Sequence, residues 1–258
     1  MSDAFANVAL LIAYDGRAFD GWQRHPGRPT VQGTLEEAVR AAFGVEGPVE
    51  GSGRTDRGAH ALGQVASVRL PAGNEEDDIA RRLDEALPET VAIEGARLVP
   101  DEFHARTSAI SKTYRYAIWN AKELPAEQEG RVWHVRRGRL DVPAMQKAAA
   151  HFVGRHDFAA FASSAGFERA STERTMLRSE VGAQSPVIEL LFEADGFLYK
   201  MVRNLVRAIV RVGEGKAAPA DVERALAARD RKASPGSAPA SGLYLDAVRY
   251  DPPLFEPR

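Results

Sequence analysis

The chain of 258 residues is 44% hydrophobic and 27% charged with a net charge of −2, which is typical of a globular protein of one or two domains. It contains no cysteine, so disulfides, thiolate nucleophiles and cysteine-ligated metal sites are excluded. No apolar run approaches the roughly 18 residues of a membrane span, and residues 1–5 lack the layout of a secretory signal, so we expect a cytoplasmic protein.

The first half of the chain is predicted to follow the order β-α-β-α-β. An apolar run at 7–14 ends at the turn signal Asp15-Gly16 and predicts a buried strand. Thr34 is the predicted N-cap of a helix that stops at Gly44. Further strands are predicted at 64–70 and 91–99, and a second helix is predicted at 76–87.

The second half is predicted to repeat this alternation of elements, although the sequence itself shows no repeat. Strands are predicted at 112–120, within 180–194 and at 243–250, and helices at 142–153, at 197–212 and from 220 onward. Residues 157–166 are predicted to form a loop, and residues 230–242, which include Ser, Pro and Gly, a mobile loop. Helices on one side of mixed or antiparallel strands indicate an α+β fold. We expect two halves, 1–108 and 109–258.

The segment 51–58 carries the best candidate for a reacting group. Asp56 stands between Arg54 and Arg57, and glycines on both sides allow turns that other residues cannot adopt. A loop that leads into a strand is a rigid mount for a functional side chain. Two permanent positive charges favour an ionised carboxylate at this position. The ordinary alternative is a surface turn with a solvated salt bridge.

The helix predicted at 197–212 has an apolar stripe on one side and basic residues on the other. The basic residues, which we name the basic ridge, are Lys200, Arg203, Arg207 and Arg211. No acidic residue interrupts the ridge until Glu214, so pairing within the helix is missing. The pattern favours a phosphate-facing surface over a solvated face. Acidic residues concentrate at 74–89 and basic ones at 106–122, so a basic face is compatible with the net charge.

Other signatures of catalysis are incomplete. Residues 213–216 lack the spacing of a phosphate loop, and Asp56 occupies a position where a dinucleotide fingerprint needs glycine. The histidines show no ligand spacing, so we expect no metal site. Trp22 and Tyr114 can stack on bases, although each alone is more typical of a core. Together with the basic ridge, a lone aspartate among arginines indicates chemistry on a nucleotide of RNA without metal or organic cofactor.

Several segments, in order and over nearly the whole chain, carry a family resemblance. They are YDGRAFDGWQRH with TVQGTLEEA, GSGRTDRGAHALGQVA, FHARTSAISKTYRY, GRHDFAAFA, GFLYKMVRNLVRAIVRVGEGK and APASGLYLDAVRY. They resemble the TruA family of tRNA pseudouridine synthases. The chain departs from that family at Arg57 and Ala59, where alanine and valine are usual, and at Arg207, where glycine is usual.

The resemblance implies isomerisation of uridine to pseudouridine at positions 38, 39 and 40 of the tRNA anticodon stem-loop. It implies that Asp56 is the essential aspartate, that Tyr114 packs on the target base, and that Arg203 pairs with the aspartate. Arg54 would help to hold the nucleotide flipped. The substrate-binding residues that we predict are Arg54, Thr55, Arg57, His60, Gln64, Trp22, Gln23, Lys112, Lys200, Asn204 and Arg207.

The resemblance also implies an architecture and an assembly. The implied fold is two similar α/β-sandwich-like halves that share an extended, mostly antiparallel sheet, with helices on one side and a central cleft. The implied assembly is a homodimer. The implied reaction needs no cofactor.

From the residues alone, two other functions stay open. In a non-catalytic RNA-binding protein, Asp56 would only organise a turn. In a hydrolase, Asp56 and His60 would act on a small ester without RNA.

Overall fold

The computed structural model describes residues 5–136, 138–164, 166 and 170–256. The chain forms two compact units, the first of Met1–Ile110 with Tyr244–Arg258 and the second of Ser111–Leu243. The C-terminal segment therefore belongs to the first unit, whereas the sequence pattern predicts that it belongs to the second half. Among the described helices, none has the length and apolar character needed to cross a membrane.

The elements alternate along the chain as the patterns predict. They are β1 (Phe5–Tyr14), α1 (Val31–Phe43), β2 (Glu50–Gly51), β3 (His60–Pro71), α2 (Glu76–Glu85), β4 (Val91–Val99), β5 (Ser111–Trp119), β6 (Trp133–His134), α3 (Val142–Ala150), β7 (Gly154–Asp157), β8 (Glu173–Gln184), β9 (Val187–Ala194), α4 (Met201–Gly213), α5 (Pro219–Ala228) and β10 (Leu243–Arg249). The predicted β-α-β-α-β order of the first half is confirmed, with the short strand β2 added.

The strands of the first unit lie in the order β4-β1-β3-β10. β1 pairs antiparallel with both β3 and β4, and β10 pairs parallel with the start of β3, where Tyr244 lies opposite His60. This pairing explains why the C-terminal segment joins the first unit. A core cluster that includes Ala9, Val65 and Tyr250 spans β1, β3 and the C-terminal segment, so both ends of the sequence contribute to one core.

The strands of the second unit lie in the order β5-β9-β8-β7, with each neighbouring pair antiparallel. The region 180–194, where the pattern predicts a single strand, holds parts of two strands that turn at Ser185 and Pro186. The strand β7 is not predicted by the sequence pattern either. Within the loop predicted at 157–166, residue 165 lies outside the described residues. Helices with mostly antiparallel strands in each unit confirm the α+β class.

Two predicted helix starts are wrong. The N-cap of α1 is Thr30 rather than Thr34, because the Thr30 hydroxyl accepts a hydrogen bond from the Gly33 N–H group at 3.3 Å. The predicted stop at Gly44 is confirmed by its left-handed φ of 68°. α4 begins at Met201 and not at 197, because Lys200 adopts a left-handed φ of 58° that cannot continue from a helical turn. Lys200 therefore lies at the entrance to α4 and not within it.

Candidate active site

Asp56 lies in a turn that leads directly into β3. The Ala59 N–H group donates to the Asp56 carbonyl at 3.0 Å, and Gly58 has a φ of 77°, which favours glycine. The Asp56 side chain is partly exposed, whereas Thr55 and Ala59 are buried. The turn therefore leaves the Asp56 carboxylate accessible, while Thr55 and Ala59 are buried in the same turn.

Thr55 anchors this turn through two hydrogen bonds. Its hydroxyl lies 2.7 Å from the Tyr14 hydroxyl in a buried pair, and its carbonyl accepts from the Trp22 N–H group at 3.1 Å. Burial raises the pKa of Tyr14 well above its usual range, against the smaller lowering effect of its hydrogen bonds to Thr55 and Gln64. The Tyr14 phenol therefore keeps its proton and remains a neutral hydrogen-bonding partner.

Gln64 fixes the start of the same loop from within β3. Its side chain is fully buried; its amide nitrogen donates to the Gly53 carbonyl and its amide oxygen accepts from the Ser52 hydroxyl, both at 2.7 Å. Buried polar groups without partners are costly, so Gln64 holds this loop in one position. These hydrogen bonds attach the residues before Asp56 to the sheet, and the residues after it continue directly into β3.

Backbone segments also pack closely around the turn. A Cβ atom at Gly16 would lie 2.0 Å from the Ala59 carbonyl oxygen. Gly21 has a φ of 100°, and a Cβ atom there would lie 2.9 Å from the Thr55 carbonyl oxygen. Glycine is required at both positions because the loop after β1 touches the Asp56 turn through its backbone.

His60 is nearly fully buried at the start of β3. Its ring stacks on Tyr244 with centroids 4.6 Å apart. Its Nδ1 atom accepts from the Gly16 N–H group at 3.1 Å and lies 3.3 Å from an Asp15 carboxylate oxygen. A ring nitrogen that accepts from the Gly16 N–H group cannot at the same time donate to Asp15. The hydrolase alternative pairs His60 with Asp56, but Nδ1 lies against Asp15.

The expected charge arrangement around Asp56 needs correction. Arg57 forms an ion pair with Asp20 at 2.9 Å rather than with Asp56. Arg54 is exposed and forms no ion pair within the described part of the chain.

In the second unit, Tyr114 lies on β5 and is buried. Its ring meets Phe197 edge to face, with centroids 5.0 Å apart and an interplanar angle of 83°.

Tyr116, two residues further along the same strand, is fully buried and donates to the Pro239 carbonyl at 2.8 Å. Burial raises the pKa of Tyr116 far above its usual range, although Arg203 and Arg207 act in the opposite direction.

Arg203 is oriented by the backbone of Ala238. The Arg203 Nε–H group donates to the Ala238 carbonyl at 2.7 Å, and the Ala238 N–H group donates to the Arg203 carbonyl at 3.0 Å. Asn204 is fully buried; it donates to the Phe161 carbonyl at 2.7 Å and accepts from the Ser237 hydroxyl. Residues 237–239 are therefore held in place by hydrogen bonds, within a segment that the sequence predicts to be a mobile loop.

The three arginines of the basic ridge lie along α4 and are partly buried, and Lys200 precedes the helix. The Arg207 guanidinium lies over the Trp133 ring at 5.5 Å, and the Lys200 ammonium lies over the Tyr199 ring at 5.1 Å. The contacts that the structure shows for the Lys200 and Arg207 cations are therefore with aromatic faces and not with acidic side chains.

The predicted residues divide between the two units. Those of the first unit lie in the Asp56 turn or in the elements next to it, and they are Trp22, Arg54, Thr55, Asp56, Arg57, His60 and Gln64. Those of the second unit lie on β5, at the entrance to α4 or within α4, and they are Lys112, Tyr114, Lys200, Arg203, Asn204 and Arg207. Gln23 lies on the neighbouring loop and donates to the Gln32 side chain at 3.0 Å. Sequence reasoning missed Tyr14, Ser52 and Asp20, whose only signal is their place beside glycine-rich turns.

Side chains of the types that can ligate a metal ion do not cluster within the described residues. No group of three or more His, Asp or Glu side chains there is arranged to hold an ion. The absence of a metal site stays a prediction.

Comparisons with known proteins show the family of this chain. A family model described as tRNA pseudouridine synthase matches residues 10–108 and 148–251. A tRNA pseudouridine synthase A from Methylacidiphilum infernorum is 43% identical over 252 residues, which cover 98% of each chain. Those from Solidesulfovibrio magneticus and Geobacillus kaustophilus are 44% and 40% identical; the alignments cover 96% and 95% of this chain, and 92% and 94% of theirs.

These matches define an isomerase that acts on tRNA. The chain belongs to the tRNA pseudouridine synthase family. The family resemblance drawn from the sequence motifs is confirmed.

The hydroxyl pair of Tyr14 and Thr55 makes a first testable prediction. Tyr14→Phe leaves the Thr55 hydroxyl buried without this partner, so we expect a loss of about 1–3 kcal/mol in the free energy of unfolding. Thr55→Val should cost a similar amount. The double variant should cost less than the sum, because neither hydroxyl remains unpaired. Urea denaturation measures these differences.

The matched control is Tyr250→Phe, which removes a buried phenol hydroxyl that donates to the Ala105 carbonyl in the same unit. It should lower stability without lowering turnover of tRNA, whereas Tyr14→Phe should lower both. Equal turnover of the two variants would contradict a role of Tyr14 in holding the turn.

Proposed function

We propose that this chain isomerises uridine to pseudouridine at positions 38, 39 and 40 of the tRNA anticodon stem-loop, with Asp56 as the catalytic carboxylate. The main support is the turn that carries a partly exposed Asp56 and is anchored by hydrogen bonds of the buried residues Thr55 and Gln64. Family membership supports the reaction, and the sequence motifs support the choice of stem-loop. A preorganised charged group is what such chemistry requires.

The reaction exchanges one glycosidic bond for another. The bond from N1 of uracil to C1′ of ribose breaks, the base turns, and a bond from C5 to C1′ forms. C5 then loses its proton and N1 gains one, so the product is an isomer and no electron is gained or lost. The proposed reaction therefore needs no redox cofactor.

Three roles for the Asp56 carboxylate satisfy this scheme. It can attack C1′ as a nucleophile, add to C6 of uracil, or remove a proton from the sugar to give a glycal. All three need an ionised carboxylate against a nucleotide that has left the base stack. A turn anchored by Thr55 and Gln64 supports each of them equally, because each requires a fixed carboxylate.

In the second unit, we assign roles to Tyr114 and Arg203. Phe197 holds the Tyr114 ring edge-on, which suits a ring that packs on the target base and handles the C5 proton. The Ala238 carbonyl fixes the plane of the Arg203 guanidinium through Nε, which suits an arginine that pairs with the Asp56 carboxylate.

The other predicted substrate-binding residues fall into two groups by burial. Thr55, His60, Gln64, Trp22 and Asn204 are buried, and we assign them to positioning the residues that touch RNA. The remainder, Arg54, Arg57, Gln23, Lys112, Lys200 and Arg207, are at least partly exposed and are assigned to contact with the RNA. Arg54 would fill the space left by the flipped base. A homodimer that works in the cytoplasm completes the proposal, supported by the sequence resemblance and, for the compartment, by the lack of cysteine.

Replacement of the carboxylate tests the proposed function most simply. Asp56→Asn keeps the size of the side chain and removes its charge, so we expect tritium release from tRNA labelled at C5 of uridine to fall by at least about 10³-fold. Binding of tRNA should persist, because the basic residues are unchanged.

Labelled tRNAs with uridine at only one of positions 38, 39 and 40 should each release tritium with the unaltered protein. Full activity of Asp56→Asn would exclude the mechanism. Absence of tritium release from all three tRNAs with the unaltered protein, while binding is intact, would favour a non-catalytic RNA-binding protein.

Tyr114→Phe separates packing from chemistry at the target base. The ring remains, so affinity for tRNA should stay within about twofold, whereas turnover should fall by about 10²-fold or more if the hydroxyl transfers the C5 proton. Single-turnover rates at saturating protein measure the effect. A turnover rate equal to that of the unaltered protein would leave Tyr114 with a packing role alone.

A further inference from the structure

One carboxylate near the Asp56 turn is shared by two arginines. Asp20 lies 2.9 Å from Nε of Arg57 and 3.7 Å from a terminal nitrogen of Arg28. The Arg57 and Arg28 side chains are 80% and 63% exposed, whereas the Asp20 side chain is only 19% exposed. Two guanidinium groups on one carboxylate leave a net positive charge at the surface.

The backbone explains why these residues meet. The Asp20 N–H group donates to the Pro29 carbonyl at 2.8 Å, which closes the loop between them and brings Arg28 back to Asp20. The following residue, Gly21, packs its backbone against Thr55, so the neck of this loop touches the Asp56 turn. Arg57 reaches the same carboxylate from the turn itself. The pair of arginines is thus held next to the proposed catalytic residue.

The chemistry of this cluster suits a phosphate. Guanidinium groups bind carboxylates and phosphates through the same fork of N–H donors. The Arg57 and Arg28 side chains are exposed, so an arriving phosphate can reach both arginines and compete with Asp20 for their N–H donors. A nearby aspartate leaves each arginine oriented for an anion while no RNA is bound.

We propose that Arg28 and Arg57 form a phosphate clamp for the RNA backbone beside the target nucleotide, with Asp20 holding both arginines in place until RNA binds. The clamp rests on the proposed function and extends it by adding Arg28 and Asp20 to the RNA-binding residues. It also gives a role to Arg57, which replaces the alanine usual in the family that the sequence resembles.

The clamp is tested by the salt dependence of tRNA binding, measured by filter binding over a series of KCl concentrations. Arg57→Ala and Arg28→Ala should each weaken binding and reduce the log–log slope by about 0.7–0.9, because each variant neutralises one phosphate fewer. The matched control is Arg81→Ala, which removes an arginine from exposed ion pairs with Asp78 and Glu85 on α2. Its slope should equal that of the unaltered protein.

Asp20→Asn distinguishes a clamp from a brace that only joins two loops. A clamp predicts tighter tRNA binding by Asp20→Asn, because the competing carboxylate is gone. A brace predicts that Asp20→Asn weakens binding as Arg57→Ala does, and lowers the melting temperature by a similar amount. That second result, or unchanged slopes for both arginine variants, would overturn the proposal.

The binding measurement does not depend on turnover. If Asp56 had no catalytic role, Asp56→Asn would still release tritium, and the salt-dependence slopes of the arginine variants would test the clamp independently of that result. If the clamp were absent, the slopes would be unchanged while Asp56→Asn remained inactive.

Discussion

The buried hydrogen bond between the Tyr14 and Thr55 hydroxyls is the constraint on which the proposed chemistry depends. Tyr14 is the last residue of β1, and Thr55 directly precedes Asp56, so the end of one strand determines where the carboxylate lies. Gln64 adds a second attachment from β3 through the Gly53 carbonyl. Because an unpaired buried hydroxyl or amide is costly, the turn has little freedom to move. The sheet of the first unit thereby holds in position the backbone from which the Asp56 side chain extends.

The second unit shows the same division between buried anchors and partly exposed residues of the proposed site. Arg203 is partly exposed, and the next residue, Asn204, is fully buried and bonded to the Phe161 carbonyl. Asp56 and Thr55 are related in the same way. In both cases a buried polar neighbour fixes the backbone from which the charged side chain extends, which is how a site gains precision without losing access to substrate. The Ala238 carbonyl then sets the orientation of the Arg203 guanidinium itself.

Local signals in the sequence predict much of the fold, and they fail where partners distant in the chain decide. The strand at 91–99 and the helix stop at Gly44 follow from short patterns and agree with the structure. The N-cap of α1 does not follow from a short pattern, because two threonines, Thr30 and Thr34, are both suitable. The choice of Thr30 depends on a hydrogen bond from the Val31 N–H group to the Gly21 carbonyl, which is distant in the chain. Asp56 was identifiable as a candidate from its glycines and arginines. The pairing of Arg57 with Asp20 was not, because it depends on a loop closing through space.

The most direct measurement of the central claim moves the carboxylate without removing it. Asp56→Glu keeps the negative charge and shifts it by one methylene on the same anchored turn. If the fixed position of the carboxylate carries the reaction, tritium release from C5-labelled tRNA should fall by about 10²-fold or more while tRNA affinity is retained. Turnover close to that of the unaltered protein would contradict the account, because it would show that the anchored turn does not set the geometry of the reaction.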